Sequence, residues 1–134
     1  MKMSPWYMLL PIFVLSSTAL SPAYSAETKL LFRAQGASIP AGKPIALGKV
    51  EVALYSAIRI VVTAHPDSNA NAVIELILME GDEQYLTALD TIVIPSKSSI
   101  TRLYPVPGRK LLIQAATDGS SGSTSVDVIV YGTQ

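Results

Sequence analysis

Apolar and polar residues alternate with a period of two from residue 28 to residue 134, and no window of useful length repeats every 3.6 residues. The pattern therefore predicts strands and little helix. A first strand covers residues 29–33, before a loop dense in breakers that runs from Gly36 through Pro40 and Gly42 to Pro44. In a second, 49–55, Val50, Val52 and Leu54 share one face and Lys49, Glu51 and Ala53 the other, as in a half-buried strand. A third, 58–63, turns Ile58, Ile60 and Val62 to the core and Arg59 and Thr63 away from it. Residues 73–80 and 85–94 flank Gly81-Asp82-Glu83-Gln84, a connection of the length that closes an antiparallel hairpin.

Three more strands follow. The segment 100–106 contains Pro105, which cannot donate to a ladder and so belongs at an edge or a strand end; Pro107-Gly108 is a turn. Residues 111–115 form the next, and after a Gly/Ser-rich loop the strand 125–131 puts Val126, Val128 and Val130 inward and Asp127, Ile129 and Tyr131 outward. Within 85–94, Asp90 shares a face with Leu86, Ala88, Ile92 and Ile94, a costly place for a carboxylate. A bulge near Asp90-Thr91 would return it to water, and an edge position would also relieve it; a buried, hydrogen-bonded carboxylate is the remaining reading. If the third and fourth strands are neighbours, outward Arg59 and Glu75 form a cross-strand charge pair worth less than about 1 kcal/mol.

Eight short strands with a turn every ten residues or so, and no crossover helices, define an all-β chain: a two-sheet antiparallel β-sandwich, jelly-roll-like. A small closed β-barrel is the alternative, since the same alternation fills either interior.

The chain opens differently. Lys2, an apolar stretch from Trp6 to Leu20, and small Ala23 and Ser25 make a secretory signal peptide over residues 1–25. Cleavage after Ser25 leaves one domain, 26–134, starting at Ala26. Its apolar run of about fifteen residues is too short to stay as a membrane anchor, which takes roughly twenty, and no later segment spans a membrane. The protein is thus expected to be exported, periplasmic or extracellular.

Composition narrows the chemistry. One of the ten basic residues, Lys2, falls in the leader, so nine face ten acidic residues and the domain carries a formal charge of −1. That balance gives no footprint for nucleic acid. The chain has no cysteine, which removes disulfides, thiolate ligands and a cysteine nucleophile. An exported domain of this size without disulfides suits a bacterial envelope better than an animal extracellular module.

No catalytic constellation stands out. The one histidine, His65, lies in a turn beside Pro66 and Asp67 and reads as a solvent-exposed loop residue, and no G-x-S-x-G elbow is present. Asp67, Asn69 and Asn71 copy the first three oxygen positions of a calcium loop, but Ala72 stands where glycine is needed and Leu78 where a bidentate glutamate is needed. Asx turns explain those residues more simply. No cofactor is implied.

The pattern favours a non-catalytic, exported binding or interaction module that recognises a protein or a cell-surface component. A carbohydrate-binding module is the alternative and a small hydrolase a third reading. The candidate contact residues are Tyr55, Tyr85, Tyr104 and Tyr131, with Arg59 and Arg102; a sugar site would need the tyrosines in a row. Outward Ile129, Tyr131, Val61 and Ile77 would favour a homo-oligomer if a sheet face were left uncovered.

Overall fold

The structure, a computed structural model, describes residues 27–66, 68–105, 108–119 and 122–134. The signal peptide, Asp67 of the calcium-like loop and Pro107 of the Pro-Gly turn lie outside the described residues. Eight strands run in order as β1 (Thr28–Ile39), β2 (Ile45–Glu51), β3 (Ala57–Ala64), β4 (Ala72–Glu80), β5 (Tyr85–Ile94), β6 (Ser99–Pro105), β7 (Lys110–Thr117) and β8 (Thr124–Thr133). They form two four-stranded sheets, β1-β8-β3-β6 and β2-β7-β4-β5, and every neighbouring pair is antiparallel.

This strand order is that of a jelly roll, with the chain passing between sheets at every connection except the β4–β5 hairpin. The two sheets are separate, so the closed-barrel alternative does not hold. Alternation decides the core. Ile58, Ile60 and Val62 of β3 and Val126, Val128 and Val130 of β8 face Ile74, Leu76 and Leu78 of β4 and Leu111 and Ile113 of β7, nearly all without solvent contact. Each such side chain contributes about 1.5–3 kcal/mol by leaving water.

Three of the four edge strands are irregular. β1 slips register around Leu31 and again between Ala34 and Ala37, β2 slips between Ala46 and Gly48, and β5 carries one extra residue opposite the Leu76–Ile77 step. The fourth edge, β6, ends in Pro105. Bulges and proline spoil an edge for the addition of another strand.

Several boundaries move. β1 extends through the expected loop to Ile39, because its bulges absorb Gly36, at φ +62°, without ending the ladder. β2 starts earlier and stops at Glu51; a turn closed by the Tyr55 amide on the Val52 carbonyl follows, so Leu54, expected inside, is 81% exposed.

Around Asp90 both the expected bulge and the edge position are present, but the bulge does not turn Asp90 outward. The extra residue on β5 is Leu89, one position before the expected bulge, since Leu76 pairs with Asp90 and Ile77 with Ala88. The slip sends Leu86 and Ala88 outward and leaves Asp90 facing inward with Ile92 and Ile94.

Candidate functional site

Arg59 and Glu75 do not pair. β3 and β4 belong to different sheets, so the two residues project from opposite faces of the sandwich, and among the described residues neither has an ion-pair partner. On the outward face of the β1-β8-β3-β6 sheet, register aligns Leu30, Tyr131, Arg59 and Leu103 in one row across all four strands. The Arg59 guanidinium lies 4.9 Å from the centre of the Tyr131 ring, a cation–π contact that holds it flat on the sheet. The next row is Arg33, Ile129, Val61 and Thr101. Leu103 is 69% and Leu30 49% exposed, so the row is open at both margins.

Glu75 occupies the other outward face, that of β2-β7-β4-β5. It sits between Gln114 and Thr91, with Val73 and Ile77 two residues away along β4 and Leu112 and Val93 on the adjacent strands. At the hairpin end of this face lies a cavity of about 390 Å³, floored by Met79 and walled by Glu51, Ala53, Leu54, Gly81, Asp82, Glu83, Arg109 and Lys110. Lys49 donates to Glu83 Oε2 at 3.0 Å and Lys110 to Glu83 Oε1 at 3.1 Å, and Lys110 is 3.6 Å from Glu51. These hydrogen bonds hold the Glu83 carboxyl below its ordinary range and the Lys110 ammonium above its own.

The turn that presents Glu83 is closed by the Gln84 amide on the Gly81 carbonyl at 3.2 Å, with φ of +57° at Asp82 and +70° at Glu83. With Gly81 at +58°, three successive residues of the four-residue loop are left-handed, a conformation that suits Gly81 and is tolerated by Asp82 but is unusual for Glu83.

The sequence-predicted tyrosines go to four places. Tyr131 is under Arg59. Tyr55 is half-buried against Gly132, where an added Cβ would meet its ring at 2.7 Å. Tyr85 is 67% exposed beside Gly81, next to the cavity but not among its lining residues. Tyr104 faces the sandwich interior at the β6 edge and donates to Asp90 Oδ2 at 2.5 Å, bridging the two sheets. That bond, with the Thr91 amide and nearby Arg102, keeps Asp90 ionised below the usual range, while burial and the Asp90 charge push Tyr104 upward. Arg102 shares the inward face with Tyr104 but is exposed at the edge. The tyrosines therefore make no row.

His65 is another correction. Instead of standing free in its loop, it lies with Nε2 2.9 Å from Asp127 Oδ1, which also accepts the Gly36 amide at 2.6 Å. Sequence reasoning missed this pair because β8 brings Asp127 to the loop from 62 residues away. It missed the cavity too, though the charged clusters at 49–51 and 109–110 were visible signals. The calcium-like loop is held by protein groups: Asn69 Oδ1 accepts the Ser123 amide and Asn71 donates to Asp118. Among the described residues no three carboxylate or histidine groups gather as a metal site.

No protein-family model matches the chain, and no curated protein matches it in sequence. Solved structures give distant likenesses. A protein of the disulfide-linked pili of Bacillus endospore appendages is 14% identical, over 81% of this chain and 87% of that one, with a TM-score of 0.43. A carbohydrate-binding module of Cellvibrio mixtus lichenase 5A, solved with cellotriose, is 12% identical over 83% and 89%, with a TM-score of 0.46. The C-terminal domain of a structural protein from Sulfolobus turreted icosahedral virus is 12% identical over 79% and 98%, at 0.39. None is close enough to transfer a ligand or a partner.

Proposed function

We propose that the protein is an exported, non-catalytic interaction module whose contact surface is the outward face of the β1-β8-β3-β6 sheet. One observation carries this reading: a row of Leu30, Tyr131, Arg59 and Leu103 crosses that face, apolar at its margins and bearing a cation that, among the described residues, has no ion-pair partner. Apolar area with a central arginine and tyrosine is the composition of contact hot spots. The bulged edges argue for recognition by the face rather than by strand addition.

Glu83 is a poor candidate for the general acid of a hydrolase, since that role needs a raised pKa and the hydrogen bonds from Lys49 and Lys110 lower its own.

The test is to crosslink the exported protein in its native envelope and compare it with Leu103→Glu. Recovery of a defined partner by the wild type, and its loss with Leu103→Glu but not with Glu83→Ala, is the expected result. Identical recovery by all three refutes the assignment.

A second reading, sugar binding, draws on the cavity. Its volume lies within the roughly 300–1,000 Å³ of small-molecule sites. Paired charges around an apolar floor, with the Tyr85 ring close by, suit a neutral hydroxylated ligand. A glycan screen of wild type against Glu83→Ala decides it, and no binding to any sugar removes it.

A further inference from the structure

Each outward face of the sandwich carries an exposed charge, opposite in sign to the other's, while Lys49 and Lys110 on the β2-β7-β4-β5 face are already held by Glu83, and Asp127 on the β1-β8-β3-β6 face by His65. One offers Arg59, with Tyr131, Ile129, Val61 and Leu103 around it; the other offers Glu75, with Val73, Ile77, Leu112 and Val93 around it. Both charged residues are exposed, and neither has a partner of opposite charge among the described residues. Within one molecule they cannot meet, because the sandwich stands between them.

We infer that copies of this chain stack, the β1-β8-β3-β6 face of one on the β2-β7-β4-β5 face of the next, with Arg59 against the neighbour's Glu75. The inference rests on the reading that the outward face of the first sheet is a contact surface, and adds that a second copy occupies it. The packing repeats what the interior already does, one twisted sheet laid on another at about 10 Å. The irregular edges leave the faces as the route to association.

Because the two surfaces differ, the contact is head-to-tail. It does not use itself up at a dimer, and nothing in it forces a ring to close, so it builds an open column. Four strands at about 4.8 Å by some six residues at about 3.3 Å give a footprint on the order of 400 Å² per face. That places each contact in the weak, concentration-dependent class.

Sedimentation of the purified protein over a range of concentrations tests this. The average mass should rise with concentration and continue past twice the monomer. Arg59→Glu and Glu75→Arg should each weaken association by roughly tenfold or more, since like charges then meet; Glu75→Arg should leave the melting temperature of the monomer unchanged, and Arg59→Glu should lower it only by the loss of the Tyr131 ring contact. The double variant Arg59→Glu/Glu75→Arg should restore it, as should an equimolar mixture of the two single variants. A mass fixed at the monomer, or a dimer indifferent to Glu75→Arg, overturns the inference. If the monomer still loses an envelope partner on Leu103→Glu, stacking fails and the contact face stands; if that substitution changes nothing, both fail.

Discussion

At the residue scale, one hydrogen bond ties the two sheets together at their open edge. Tyr104→Phe removes the hydroxyl that Asp90 accepts and should lower stability by about 1 kcal/mol, read from urea unfolding. The same pair sets a pH signature. Asp90, Asp127 and Glu83 titrate below their unfolded values, so what they add is complete above about pH 4 and fades as pH falls through the lowered values. Tyr104 titrates above its unfolded value, so its share is complete below about pH 10 and is lost as pH rises. In Tyr104→Phe the alkaline loss should shrink; an unaltered alkaline limb contradicts the assignment. Packing gives a second residue-scale prediction. A Cβ on Gly48 would sit 2.5 Å from Phe32 Cε1, so Gly48→Ala must displace a ring packed on the core, at a cost of about 1–3 kcal/mol in the same measurement.

Among the elements, the β4–β5 hairpin was legible because its four-residue loop opens with glycine between two alternating segments. Its strain was not legible, since Asp82 and Glu83 adopt left-handed backbone with no sequence marker for it. Asp82→Gly should relieve that strain and raise stability by up to about 1 kcal/mol, seen as a higher melting temperature; a lower one would mean that the Asp82 side chain makes contacts worth more than the strain. Strand interiors such as Ile58–Val62 and Val126–Val130 were readable from alternation alone. Where a strand slips, the pattern keeps its period and loses its phase, which is why Leu86 and Ala88 turn outward, whereas Leu54 is exposed because β2 ends before it. Neighbour identity is the other thing a single strand does not encode. Arg59 and Glu75 were correctly outward, yet only the sheet assignment shows them pointing away from each other. The dispersal of Tyr55, Tyr85, Tyr104 and Tyr131 likewise follows from non-local pairing.

For the whole molecule, the decisive arrangement is that β8 lies between β1 and β3. Its inward valines fill the centre of the core, and its ladders are the only ones that join β1 to the rest of its sheet. Removing residues 124–134 should therefore abolish the cooperative melt, as followed by circular dichroism; a sharp transition in the truncated chain would show that β8 is dispensable. With no cysteine in the chain, reductant should leave the melting temperature of the intact protein unchanged. The position of β8 also bears on the order in which the sheet can form. A ribosome makes this strand after the other seven, and until it arrives β1 and β3 have nothing between them to hydrogen-bond. The hydrogen bonds that complete this sheet thus come last in synthesis, and β1 has no ladder to join until β8 emerges.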